Sequence, residues 1–115
     1  MSAIYTNSVW AYRFTLTDPV TGGPYNLSGK SLEMHFKVAP GMPKLLGATT
    51  SNGKLTINGN SSNLLDVTLW ETDTAPLPPG SIHFDVLWTN YAVNRPIRLF
   101  GGRILVREGV TISGG

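Results

Sequence analysis

The chain has 115 residues, with nine Lys and Arg against seven Asp and Glu, two His and no cysteine. That length suits one domain with a hydrophobic core of its own, and the lack of cysteine excludes disulfides, thiolate metal sites and a cysteine nucleophile. A net charge of +2 without a dense basic run gives no electrostatic case for nucleic acid. Only 14% of the residues are charged, which suits a protein whose faces are partly covered by neighbours. The start, Met1-Ser2-Ala3-Ile4, lacks the basic and apolar regions of a secretory signal, and no apolar run nears the roughly 20 residues of a membrane-spanning helix. The expectation is a protein made in a cytoplasm and not held by a membrane.

Period-two alternation, the mark of half-buried strands, dominates the chain. Ser2 to Asn7 is uncommitted polar chain, and residues 1–7 read as an arm for contacting a neighbour. Trp10, Tyr12, Phe14 and Leu16 alternate with Ala11, Arg13 and Thr15, and the Asp18–Pro24 stretch then breaks the strand. Leu32, Met34, Phe36 and Val38 mark a second strand, ended by Pro40 and Pro43. A short strand from Leu45 to about Thr50 runs into Asn52-Gly53, which predicts a two-residue type I′ hairpin turn. Leu55 and Ile57 follow, then a turn over 58–63, then a strand carrying Leu65, Val67 and Leu69. Residues 72–75 predict one helical turn capped by Thr72 and stopped by Pro76. Ile82, Phe84, Val86 and Trp88 form the next strand, and residues 89–94 a turn. The last strand runs from Pro96 to about Thr111, with a bulge expected at Gly101-Gly102. Six to eight short strands with turns every ten or so residues predict an all-β, antiparallel β-sandwich in a single domain, 1–115.

No sequence motif for catalysis emerges. His35 and His83 fall on the polar sides of their strands. A site there would need a converging carboxylate such as Glu33 or Asp85, and two histidines without a companion motif fall short of a ligand set. There is no Gly-x-Ser-x-Gly elbow, and neither Gly22-Gly23 nor Gly101-Gly102 leads into a phosphate loop. Asn26-Leu27-Ser28 and Asn60-Ser61-Ser62 match a glycosylation sequon but read as turns. The expectation is a chain without catalytic residues, metal or cofactor, and without a small-molecule substrate. Candidate interface residues come from phase and charge. Trp10 and Trp88 fall in phase with apolar rows and read as core. Trp70 is out of phase with Leu65, Val67 and Leu69, and Tyr91 lies in a turn, so both are interface candidates. Arg95, Arg98, Arg103 and Arg107 collect on the last strand, where they either face a partner or simply guard a sheet edge.

The order of short segments carries a resemblance. Arg13-Phe14-Thr15-Leu16-Thr17-Asp18 leads to Tyr25-Asn26-Leu27-Ser28-Gly29 and Leu32-Glu33-Met34-His35-Phe36-Lys37. Asn52-Gly53-Lys54-Leu55-Thr56-Ile57 and Leu65-Asp66-Val67-Thr68-Leu69 come next. They are followed by Asp73-Thr74-Ala75-Pro76-Leu77-Pro78-Pro79-Gly80, Phe84-Asp85-Val86 and Phe100-Gly101-Gly102-Arg103-Ile104-Leu105-Val106, with Val110-Thr111 close behind. This order resembles the small β-sandwich proteins of tailed phages and prophages. It is similar to the N-terminal immunoglobulin-like domain of siphophage baseplate and receptor-binding-protein adaptors. Asn26 stands where that pattern has Asp, and Phe84 where it has Tyr. The adaptors continue into further domains, so the resemblance does not extend to a receptor-binding tip. It implies an immunoglobulin-like fold and a structural role in the virion, in the tail, baseplate, connector or capsid surface, with other virion proteins and copies of itself as partners. The alternative is a soluble sandwich module that binds carbohydrate or protein. That reading needs Trp70 and Tyr91 exposed and close together.

Overall fold

The computed structural model describes residues 2–90 and 95–109. Eight strands and one short helix follow in order: β1 (Ile4–Tyr5), β2 (Trp10–Thr15), β3 (Ser31–Lys37), β4 (Lys44–Thr49), β5 (Leu55–Asn58), β6 (Leu64–Leu69), α1 (Glu71–Thr74), β7 (Gly80–Asn90) and β8 (Arg95–Arg107). They form two sheets, β1-β8-β7-β3-β4 and β2-β6-β5. In the lettering of immunoglobulin domains these are A′-G-F-C-C′ facing B-E-D. The chain is thus an all-β, immunoglobulin-like sandwich. All pairings are antiparallel except that of β1 with β8, which is parallel.

The alternation read from the sequence sets the layers. β3 turns Leu32, Met34 and Phe36 inward and Glu33, His35 and Lys37 outward. β7 turns Ile82, Phe84 and Val86 inward, and β6 does the same with Leu65, Val67 and Leu69; all nine inward side chains are buried. Complete burial of each such side chain stabilises the fold by about 1.5–3 kcal/mol. In antibody domains a disulfide joins strands B and F across the sandwich. Here aromatic rings meet between those strands: Phe14 on β2 lies 5.7 Å from Phe84 on β7 and 5.0 Å from Phe100 on β8, centroid to centroid.

Four local expectations are revised. Asn52-Gly53 does not close a hairpin, because β4 and β5 belong to different sheets. Gly53 alone takes a positive φ of 78°, whereas a type I′ turn needs two such residues. Asn52 instead works through its side chain, whose Oδ1 accepts from the N–H groups of Thr49 and Lys54 and steers the chain between sheets. The helical turn begins at Glu71, and Thr72 does not cap it. Asp73 folds back, its Oδ2 accepting from the Trp70 N–H at 2.9 Å.

The bulge of β8 falls at Leu99, since Val86 pairs with Phe100 while Leu87 pairs with Arg98. Gly101 and Gly102 stay in register with Asp85 and Phe84. They are glycines because neighbours come close. A Cβ on Gly102 would lie 3.0 Å from the Phe84 ring, and one on Gly101 would lie 2.6 Å from the Phe84 carbonyl oxygen.

Finally, the segment read as an arm is docked on its own sheet as β1. Ile4 is fully buried and the Thr6 N–H donates to the Arg107 carbonyl. The sequon residue Asn26 closes a turn, accepting from the Ser28 N–H. The turn after β7 falls mostly on residues 91–94, outside the described residues.

Candidate functional site

The edges of the two sheets define where this fold can meet a partner. In the smaller sheet β2 is an edge, because nothing among the described residues pairs with its outer side. Its register shows which backbone groups are unused. The Leu16 N–H donates to Asn63, and the Thr68 N–H donates to Lys54 on the β5 side. By the alternation of an antiparallel ladder, Tyr12 and Phe14 therefore bond to β6, while Ala11, Arg13 and Thr15 point their N–H and C=O groups outward. The strand that would cover them in an ABED sheet, strand A, has no counterpart among the described residues.

The same side of the sandwich carries a second open edge. β1 covers β8 only at Val106 and Arg107. Because the Arg107 carbonyl faces β1, alternation turns the backbone groups of Arg103 and Gly101 to that same outer side, where no described strand meets them. Between the two edges opens a cleft of about 360 Å³, lined by Phe14, Leu16 and Tyr25 on one wall and Arg98, Leu99 and Phe100 on the other. These apolar side chains are only partly buried and pack on the core.

The predicted arginines are strung along β8. The strand has 13 residues, so Arg95 and Arg107 stand about 40 Å apart at ~3.3 Å per residue. All four are exposed. Arg98 is committed to Asp85, its Nε donating to Oδ1 at 2.6 Å. It shares with Arg103, His83 and Asp85 a shallow depression of about 390 Å³ on the outer face, with Gly101 and Gly102 in its floor. Among the described residues Arg103 and Arg107 have no carboxylate partner. The structure thus brings Arg98 and Arg103 together and leaves Arg95 and Arg107 at the ends.

Trp70 is 54% exposed, directly before α1. It directly follows Leu69, the last residue of β6, and Val9, directly before β2, is likewise 47% exposed. It does not join the arginines. Tyr91 lies outside the described residues. Of the tryptophans read as core, Trp10 is buried, and Trp88 is half-buried with the Lys30 ammonium 4.1 Å from its ring centroid.

The histidines stand on adjacent strands of one outer face but do not converge. His35 opposes Asp85 and donates from Nε2 to Glu33 Oε2 at 2.9 Å, and His83 opposes Lys37. Among the described residues no three His, Asp or Glu side chains are grouped to hold a metal ion. None of the described helices is long and apolar enough to cross a membrane.

Two ion pairs shift their carboxyls. The Arg13 guanidinium bonds Asp66 in two places, at 2.7 and 2.9 Å, and holds it below the ordinary value of 3.8 despite some burial. Asp66 in turn raises Arg13. Burial pushes the Asp73 carboxyl up, but the Lys54 ammonium at 2.6 Å and the Trp70 N–H more than offset it, so it too titrates low.

The cleft between β2 and β8 was not read from the sequence. Its residues, Phe14, Tyr25 and Phe100, look like ordinary core positions, and only the pairing shows that no strand covers them. No family model and no curated protein matches the chain.

Proposed function

We propose that this chain is a non-enzymatic structural component of a tailed-phage virion, of its tail, baseplate, connector or capsid surface. It assembles through contacts with other virion proteins and with copies of itself. The observation that carries the reading is the flank on which the open edges of β2 and β8 lie side by side, with a cleft between them, on an immunoglobulin-like sandwich. Exposed ladder groups are a liability in a free monomer and a ready contact in an assembly. The order of short motifs shared with phage sandwich domains supports the same reading, as does a surface with few charges.

Mass spectrometry of purified particles from the source strain, with copy number per particle, tests it. The reading expects the protein in intact particles at a multiple of a rotational symmetry of the tail or capsid. Absence from intact particles, with the protein free in the lysate, overturns it.

One observation favours the second reading, a soluble module for carbohydrate or protein. Trp70, just past the end of β6, and Val9, just before β2, are both exposed apolar side chains. In that case Trp70→Ala abolishes ligand capture while the thermal midpoint stays unchanged.

A further inference from the structure

The two open edges differ in what they offer. On β2 the exposed arginine, Arg13, is already closed onto Asp66. On β8 the outward side chains after Gly101 are Arg103, the exposed Leu105 and Arg107. Arg98 is shared with Asp85, and Arg103, which lines the same depression as Asp85, forms no ion pair among the described residues. β8 also has two faces of different chemistry. Phe100, Ile104 and Val106 point inward, and Phe100 opens into the cleft with Phe14 and Tyr25; Arg103 points outward. The bulge at Leu99 bends the strand at the upper end of this stretch, and β1 closes it at Val106.

We propose that β8 accepts an extended segment of a partner protein as an added strand between the Leu99 bulge and β1. The segment alternates apolar residues, seated in the Phe14–Phe100 cleft, with acidic residues opposite Arg103. The physical basis is threefold. The backbone groups of Gly101 and Arg103 supply main-chain hydrogen bonds to an incoming strand. The cleft supplies the pocket for an apolar anchor, and side-chain alternation along a strand puts the anchor and the carboxylates on opposite faces. Charge complementarity selects an acidic strand over a basic one and guides its approach. This inference rests on the reading of the chain as an assembly module and names the chemistry of its partner.

The test uses two acetylated nine-residue peptides, one alternating valine with glutamate and one alternating valine with lysine, titrated into the labelled full chain and followed by amide NMR. The expected result is slowed exchange at the Gly101 and Arg103 amides with the glutamate peptide. The lysine peptide should bind about tenfold more weakly or less. Arg103→Pro removes an outward N–H that the protein's own ladder does not use, so it should keep its thermal midpoint and lose the protection. Arg103→Glu should reverse the preference between the two peptides and controls for any proline-induced distortion. Unchanged exchange with the glutamate peptide, equal binding of both peptides, or full binding by Arg103→Glu overturns the proposal. Failure here is separable from failure of the functional reading. Particles that contain the protein while its β8 amides ignore the peptide refute only the added strand. Protection by the peptide in a protein absent from particles refutes only the virion role.

Discussion

Where β1, α1 and the start of β2 meet, side chains tie every connection. The Thr74 hydroxyl donates to the Ser8 carbonyl at 2.8 Å and accepts from the Ser8 N–H at 3.2 Å, while being fully buried itself. The Trp10 indole donates to Ser2, and Lys54 reaches Asp73 across the turn. Along the upper halves of β2 and β8 the arrangement is the reverse. Backbone groups face outward without a strand to meet them, and aromatic side chains line a cleft instead of closing it. One end is built to hold the chain's own segments together, and the other leaves a strand-sized place unfilled. A small domain that closes one end on its own segments and leaves strand edges open at the other is shaped for contact at the second.

Truncations on either side of this divide should differ most. Phe36 is fully buried between the sheets, and Phe36→Ala should cost about 3–5 kcal/mol in urea unfolding. Phe100 lines the open cleft, where solvent already reaches, and Phe100→Ala should cost roughly half as much, about 1.5–2.5 kcal/mol. Equal losses would mean that the cleft is closed in solution. A middle-sized effect is expected at the tied end. Thr74→Val keeps the shape and leaves the part-buried Ser8 carbonyl without its donor, at about 1–3 kcal/mol. A negligible loss would show that water replaces the hydroxyl there.

Acid should weaken both regions in the same direction, to different extents. Asp66 and Asp73 titrate below 3.8 in the folded chain, so the unfolded chain binds more protons in that window. Their contribution is complete above the ordinary carboxylate value and disappears as pH falls through the folded values. The Asp73 side chain is 11% exposed and the Asp66 side chain 26%. Asp73→Asn should therefore flatten the acid limb of the stability curve more than Asp66→Asn, and high salt should erase the Asp66 part first. The smallest effect is expected at Trp70, where replacement by alanine should change stability by no more than about 0.5 kcal/mol.

Much of the fold was legible because burial follows the period-two rows. Trp10 to Phe14, Leu32 to Phe36, Leu65 to Leu69 and Ile82 to Val86 each appear as strands with the expected face inward. Local turn chemistry was legible in kind and not in detail. Asn52-Gly53 does turn the chain, but whether a turn joins partners within a sheet or passes between sheets depends on long-range pairing that two residues cannot specify. Gly101-Gly102 illustrates the same limit, for a glycine at a bulge and a glycine under an aromatic ring look alike in sequence. The arginines of β8 and the exposure of Trp70 were visible from phase and charge. The cleft was not, because an absent strand leaves no residues to read.

Amide hydrogen exchange of the free, unliganded chain tests the open flank most directly. The outward amides of Ala11, Arg13, Thr15, Gly101 and Arg103 should exchange rapidly, while their neighbours Tyr12, Phe14, Gly102 and Ile104 are protected by the ladders to β6 and β7. Strong protection of the outward set in a monomer would contradict the account, since the flank would then already be covered by the chain itself.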